Sequence, residues 1–295
     1  MRTPAIVVAV DGTEPSRAAV RWAAREAELR KQPLLLTHVL DRDWAGTQYD
    51  VDGRHFETAR RFGEGIAVRA AQEAATVASA IEMDTDVLTG DPAAQLIIAS
   101  EGEDLLVLGS RGRGGFAGLH LGSVSQRVAM HADCPVVVVR GRTDAGKGPV
   151  AVGVDDNGSA DRVLEAAFTA ARARCTSLTA IRSYLPSVLV YSGHLPPAQV
   201  YSPEQDQAER ANLTTQLAPW REKFPDVPVE ILLSHDSAAA VLVGVSRGAQ
   251  LVVVGSRGHG VIAGTLLGST GLQLLHHADC PVLIVRPHGK RDSGR

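Results

Sequence analysis

Leu105–Ser123 reads LLVLGSRGRGGFAGLHLGS, and Leu251–Ser269 reads LVVVGSRGHGVIAGTLLGS. Of the 19 aligned positions, 12 are identical: Leu105, Val107, Gly109, Ser110, Arg111, Gly112, Gly114, Ala117, Gly118, Leu121, Gly122 and Ser123 all recur. Each copy runs from a short apolar strand through a glycine-punctuated loop to Gly-Ser at the mouth of a helix. Glycine lets backbone N–H groups approach a ligand without a Cβ in the way. A helix start adds unpaired N–H groups and the positive end of a dipole. The combination predicts a backbone cradle for phosphate, present twice.

The duplication extends outward in both directions. Gly255 follows Gly109 by 146 residues, and the same offset relates His131-Ala132-Asp133-Cys134-Pro135-Val136 to the run from His277 to Val282. At the front the offset is 144, where Val8-Ala9-Val10-Asp11 matches Val152-Gly153-Val154-Asp155. So long a period marks a duplicated domain and not a solenoid. The 295 residues suffice for two domains with cores of their own. Gly141–Pro149, GRTDAGKGP, has the composition of a linker, which places the domains at 1–143 and 148–295.

Each half alternates β-branched runs with helical segments. The first reads as strand Ile6–Val10, helix Ser16–Lys31 with Ser16 near its N-cap, strand Leu34–Val39, helix Phe56–Ala80, strand Thr85–Thr89, helix Pro92–Ser100, strand Leu105–Leu108, helix Ser123–His131 and strand Val136–Arg140. The second repeats this order from Val150–Val154 to Val282–Arg286. Strict alternation predicts the α/β class, with parallel sheets covered on both faces. Ligands of such sheets sit beyond the strand C-terminal ends. Asp11 ends strand one and Gly109 ends strand four, so the two features face one crevice if those strands are neighbours.

Composition narrows the function. The chain is 44% hydrophobic and 21% charged, with a net charge of −3, which argues against a nucleic-acid or anionic-membrane surface as partner. No apolar run has the length of a membrane span or a signal-peptide core. Three cysteines, Cys134, Cys175 and Cys280, do not make a disulfide framework and suggest a cytoplasmic protein.

The glycine spacing is Gly109-x2-Gly112-x9-Gly122-Ser123 and again Gly255-x2-Gly258-x9-Gly268-Ser269. With the opening Val8-Ala9-Val10-Asp11-Gly12 strand and the closing Cys-Pro-Val strand, the chain resembles the universal stress protein family in its tandem form, over nearly all of residues 4–287. In the ATP-binding branch of that family this spacing marks the phosphate and ribose site, and the other branch lacks it. The resemblance implies a Rossmann-like sheet of five parallel strands in each half, order 3-2-1-4-5. It also implies ATP as ligand, up to two per chain, with or without Mg²⁺. By the same resemblance Ala9, Asp11 and Val39 take the base and sugar end of the first site, while Gly109, Arg111, Gly112, Gly122, Ser123 and Val124 line the phosphate and ribose end. A carboxylate at Asp11 suits hydroxyls or an amine, because it would repel phosphate.

The matching second-site positions are Gly153, Asp155, Ser183, Gly255, Arg257, Gly258, Gly268, Ser269 and Thr270. Here the glycines persist, but Asp155 is followed by Asp156-Asn157-Gly158 where Asp11 is followed by Gly12-Thr13, Arg182-Ser183 replaces His38-Val39, and Thr270-Gly271 replaces Val124-Ser125. The phosphate cradle is kept and the base end altered, so the first site is the stronger expectation. In the family's single-domain members the closing strand is a dimerisation edge. Val136–Arg140 and Val282–Arg286 would then pair the two halves internally, with a homodimer of whole chains as a further option.

Rival motifs fare worse. Gly141-x4-Gly146-Lys147 is one residue short of a Walker A loop and has Gly148 where Ser or Thr must hold Mg²⁺. Gly112-x-Gly114-x2-Ala117 and Gly258-x-Gly260-x2-Ala263 fit a loose dinucleotide fingerprint, but Asp133 precedes a strand where that motif needs an acid at a strand end. His131-x2-Cys134 and His277-x2-Cys280 lack a second ligand pair at zinc-finger spacing and read as helix ends before buried cysteines. There is no Gly-x-Ser-x-Gly elbow, and His38 has no visible catalytic partner. The expected function is therefore nucleotide binding without fast turnover. A slow hydrolase or transferase, or an interaction module with a vestigial site, are the alternatives. Two long stretches, Asp41–His55 and Tyr184–Pro203, read as lid or partner-binding loops, and Pro287–Arg295 as a disordered tail.

Overall fold

The computed structural model describes residues 3–41, 54–112, 121–143, 148–156, 160–184, 189–190, 198–199, 203–256 and 267–286. The first half runs β1 (Ile6–Ala9), α1 (Glu14–Arg30), β2 (Leu34–Leu40), α2 (Arg54–Val77), β3 (Met83–Thr89), α3 (Pro92–Ala99), β4 (Leu105–Gly109), α4 (Ser123–His131) and β5 (Val136–Val139). The second runs β6 (Val150–Gly153), α5 (Ala160–Ala173), β7 (Leu178–Ser183), β8 (Leu189–Val190), β9 (Ala198–Gln199), α6 (Pro203–Lys223), β10 (Val229–Ser234), α7 (Ala238–Ser246), β11 (Leu251–Gly255), α8 (Ser269–His277) and β12 (Val282–Val285).

Ten strands form one sheet in the order β10-β7-β6-β11-β12-β5-β4-β1-β2-β3. Within each half the pairs are parallel and the order is 3-2-1-4-5, as expected. The closing strands meet edge to edge: β12 pairs antiparallel with β5, with Val282 opposite Val138 and Ile284 opposite Val136. Every residue of these two strands is buried, so the VVVV and VLIV runs cover each other's edge. The outer edges fall to β3 and β10, whose exposed positions carry Asp84, Asp86 and Glu230.

Helices cover both faces. Side chains of α1, α2, α5 and α6 share one apolar core with the sheet, and those of α3, α4, α7 and α8 share the other. Each core is continuous through both halves. Among the described residues no helix is long and apolar enough to cross a membrane.

Helix α2 runs Arg54–Val77 where Phe56–Ala80 was expected, several other element ends move by a residue, and three further differences bear on the site and its surroundings. Helix α1 begins at Glu14, and its cap is Thr13, not the Ser16 region; Pro15 in the first turn suits a position whose N–H needs no partner. Strand β3 starts at Met83, two residues earlier than expected, because it pairs with the whole of β2 from Leu34 to Leu40. Within Tyr184–Pro203, read as a loop, Leu189–Val190 and Ala198–Gln199 form a small antiparallel pair. The stretches 42–53 and 287–295 lie outside the described residues.

Candidate functional site

The first site grows from the turn after β1. Val10 and Asp11 carry the chain out of the sheet, Gly12 adopts φ +83°, and Thr13 caps α1. The Asp11 carboxylate is fixed within this turn: Oδ1 accepts from the Thr13 N–H at 2.9 Å and from the Thr13 hydroxyl at 2.7 Å. Ser16 Oγ accepts the Asp11 N–H at 3.1 Å and itself donates to the Ala9 carbonyl at 3.4 Å. Thr13 and Ser16 thus hold the acid in place, although neither figured among the expected site residues. Their signal was available in Asp-Gly-Thr followed by Pro15, a turn-and-cap signature.

Parallel pairing of β1 with β4 brings the glycine loop to this carboxylate. At Gly109 a Cβ would stand 2.6 Å from the Pro15 carbonyl oxygen, so only glycine lets β4 end against the first turn of α1. At Gly112 a Cβ would stand 2.7 Å from Asp11 Oδ2. Gly122 closes the arrangement: its N–H donates to Ser110 O at 2.8 Å, and a Cβ there would lie 3.4 Å from Arg111 Cα and 3.6 Å from Gly112 N. Asp11, Gly109, Arg111, Gly112 and Gly122 therefore converge on one point, the crevice beyond β1 and β4.

Three further positions frame it. Ala9, Val39 and Val124 are half-buried and border the core on the α3/α4 face. Ser123 is exposed in the first turn of α4, and the Ser125 hydroxyl ties that turn to Gly109 O at 2.7 Å. Helices α1, α3 and α7 are capped by Thr13, Asp91 and Ser237 side chains. Helices α4 and α8 begin instead on Gly122 and Gly268, with no side-chain cap hydrogen bond. An anion is the natural partner of such a helix start.

The second half reproduces the loop anchors. Gly268 N–H donates to Ser256 O at 2.8 Å, and Ser256 N–H to Val285 O at 2.8 Å; the first half has Gly122 to Ser110 and Ser110 to Val139. Ser269 is exposed, Thr270 and Gly255 are half-buried, and the Ser256 hydroxyl is buried without a hydrogen-bond partner among the described residues. Arg257, Gly258, Asn157 and Gly158 lie outside the described residues, as do the loop residues 113–120 and the linker pair Gly146-Lys147.

The opposite end of that crevice is built differently. Gly153 packs against Leu242 and Val254, where a Cβ would stand 3.0 and 3.3 Å away. Gln216 donates to the Asp155 carbonyl at 3.0 Å, and Ser183 Oγ donates to Asp236 O. Arg182, 3% exposed, binds Asp156 at 2.7 Å, Gln216 at 2.7 Å and Glu209 at 3.3 Å. Its counterpart His38 is equally buried, with Nδ1 2.6 Å from Val10 O. Ala160 stands where Ser16 stands in the first half. This ionic network was the feature least visible in the sequence; an arginine inside the strand LTAIRS was its signal.

Cys134 and Cys280 behave as helix-end core residues. Both are buried, and burial pushes each thiol up to about 12. Cys175 is exposed. Thiol titration of the folded chain at pH 8 should count one reactive cysteine, rising to three in denaturant; three fast thiols in the folded chain would contradict this burial.

The sequence model of the universal stress protein family matches residues 3–140 and again 148–286. A universal stress protein of Mycobacterium tuberculosis is 35% identical over 289 residues, spanning 95% of this chain and 96% of that one. Another, of Mycolicibacterium smegmatis, is 34% identical over 295 residues, spanning 96% and 97%. The crystal structure of a universal stress protein from Archaeoglobus fulgidus superposes with a TM-score of 0.73 at 19% identity, covering 97% of this chain and 99% of that chain.

Proposed function

Because this chain belongs to the universal stress protein family, we propose that its glycine loops are adenine-nucleotide sites and that it serves as an ATP-binding stress-response or dormancy-type regulator, one that senses or stores nucleotide without fast turnover. One observation supports this above the others. At the first loop a fixed carboxylate, a glycine that no side chain could replace without meeting it, and a helix start without a side-chain cap meet at one point. The carboxylate suits ribose hydroxyls or the adenine amine, and the helix start suits phosphate.

In the first site Asp11 takes the sugar and base, flanked by Ala9 and Val39. Gly109, Gly112, Gly122, Ser123 and Val124 present the phosphate cradle, and Arg111 supplies a cation at its rim. In the second, Gly255, Arg257, Gly258, Gly268, Ser269 and Thr270 repeat the cradle, while Gly153, Asp155 and Ser183 stand at a base end crowded by Leu242 and the Arg182 network. The first site is accordingly the tighter one. Residues 1–143 and 148–295 are the two domains, the β5–β12 seam is their pairing in solution, and the cytoplasm is the compartment.

Mass analysis of small molecules released from the purified chain tests ligand identity. Adenine nucleotide at up to two per chain is expected, and a chain that never carries or takes up one would overturn the proposal. Turnover is the second arm. Any hydrolysis should be far below 1 s⁻¹, and Mg²⁺-dependent turnover of about 1 s⁻¹ or faster would make it an ordinary enzyme.

A further inference from the structure

Two arginines that neither cradle contains tie the cradle helices to the opposite half. Arg140 follows β5, and Arg286 follows β12, 146 residues later at the same place in the repeat. Arg140 Nη1 donates to the carbonyls of Leu274 and Leu275 at 3.1 and 2.5 Å, in the last turn of α8. Arg286 returns the contact: Nη1 and Nη2 reach Ala129 O at 3.0 Å and Met130 O at 2.7 Å, in the last turn of α4. Each half thus supplies the cation that satisfies the C-terminal carbonyls of the other half's cradle helix.

These contacts close into a ring. Helix α4 carries at its other end Gly122, whose N–H binds Ser110 O, and the Ser110 N–H binds Val139 O, next to Arg140. From Arg140 the path enters α8, whose N-terminal Gly268 binds Ser256, and Ser256 N–H binds Val285 O, next to Arg286. Both helices are nine residues long, short enough that a tilt at one end displaces the other. A shift of either helix therefore strains its hydrogen bonds to an arginine of the partner half.

We infer that the two cradles are coupled: each arginine sets the pose of the opposite cradle helix, so that an anion held at the start of one helix favours the anion-holding pose of the other. This rests on the nucleotide reading for its ligand, but the mechanical link stands apart from it. The link is geometric, and it predicts a coupling free energy between the two sites.

Two measurements on the full chain decide it. Without ligand, amide exchange at Gly122 and Gln126, both hydrogen-bonded at the mouth of the first cradle, should speed up several-fold in Arg286→Met. With the second cradle closed by Gly268→Asp, Arg286→Met should weaken ATP binding at the first cradle about fivefold or more. Arg286→Lys, which keeps a donor, should recover part of both effects. Arg142→Gln is the control, because Arg142 also crosses between halves but donates to Arg247 O at the end of α7. Unchanged exchange in Arg286→Met, or equal effects from Arg142→Gln, would overturn the link. If the parent chain binds no nucleotide, the functional proposal fails and the exchange result alone judges the coupling.

Discussion

Replacing Glu26 with alanine should lower the stability of the chain by about 3–5 kcal/mol, the range for breaking a buried ion pair by removing one partner. Glu26 is 1% exposed on α1 and accepts from Arg30 at 2.6 Å and from Arg174 at 2.5 Å. Arg174 follows α5 in the other half, with its side chain only 9% exposed and its guanidinium 5.7 Å from the Trp22 ring centroid. Arg30 and Arg174 occupy matching positions in the repeat, yet Glu26 is matched by Ala170, so one carboxylate serves two cations. Its removal leaves Arg174 buried against that carboxylate's vacated place. Urea unfolding at pH 7 measures the loss, and a change under about 1 kcal/mol would show that the pair contributes little.

The same site carries a pH signature. Burial raises the Glu26 carboxyl, but the charges of Arg174 and Arg30 outweigh it and hold the group below its ordinary value of 4.5. A depressed folded-state value means the unfolded chain binds the proton more readily, so this stabilisation is complete above about pH 4.5 and fades as pH falls through the folded value. Acid should therefore destabilise the parent chain more steeply than Glu26→Ala in that window.

The second large effect concerns ligand rather than stability. Gly112→Asp places a Cβ 2.7 Å from Asp11 Oδ2 and adds a like charge beside it, in an exposed loop position where the fold itself has room to respond. On the proposed nucleotide reading, the first loop then loses backbone N–H donors to phosphate and gains a carboxylate that repels it. Losing two charge-assisted hydrogen bonds of about 1.5 kcal/mol each corresponds to about a hundredfold in affinity. Binding should fall by at least that factor at the first site, with the circular dichroism spectrum unchanged. Unaltered binding would place the ligand elsewhere.

The architecture was legible because its signals are local and repeated. Apolar β-branched runs such as Val136–Val139 and Leu251–Val254, separated by helical segments, specify parallel strands without knowledge of contacts. What stayed hidden depends on pairing. Thr13 displaces Ser16 as cap because the turn after β1 has to return against Gly109, a contact between residues nearly a hundred positions apart. Glu26 and Arg174 are 148 positions apart, and nothing along either helix announces a partner in the other half.

The glycine loops were visible for the same reason the fold was. Glycine spacing and the Gly-Ser helix start are sequence-local, whereas the approach of Gly112 to Asp11 follows only from β1 lying beside β4. The second site shows the converse. Its loop letters copy the first, yet Arg182, Asp156, Glu209 and Gln216 fill the strand-two end with an ionic network that no alignment of the two halves predicts. Arg140 and Arg286 were read as the ends of apolar strands, and their role emerges only when β5 and β12 meet.

The most direct test of the central claim is calorimetric titration of the full chain with ATP, alongside Gly112→Asp. Saturable binding at one to two sites per chain is expected, with the tighter site lost in the variant. A parent chain that takes up no adenine nucleotide, or a variant that binds like the parent, would contradict it.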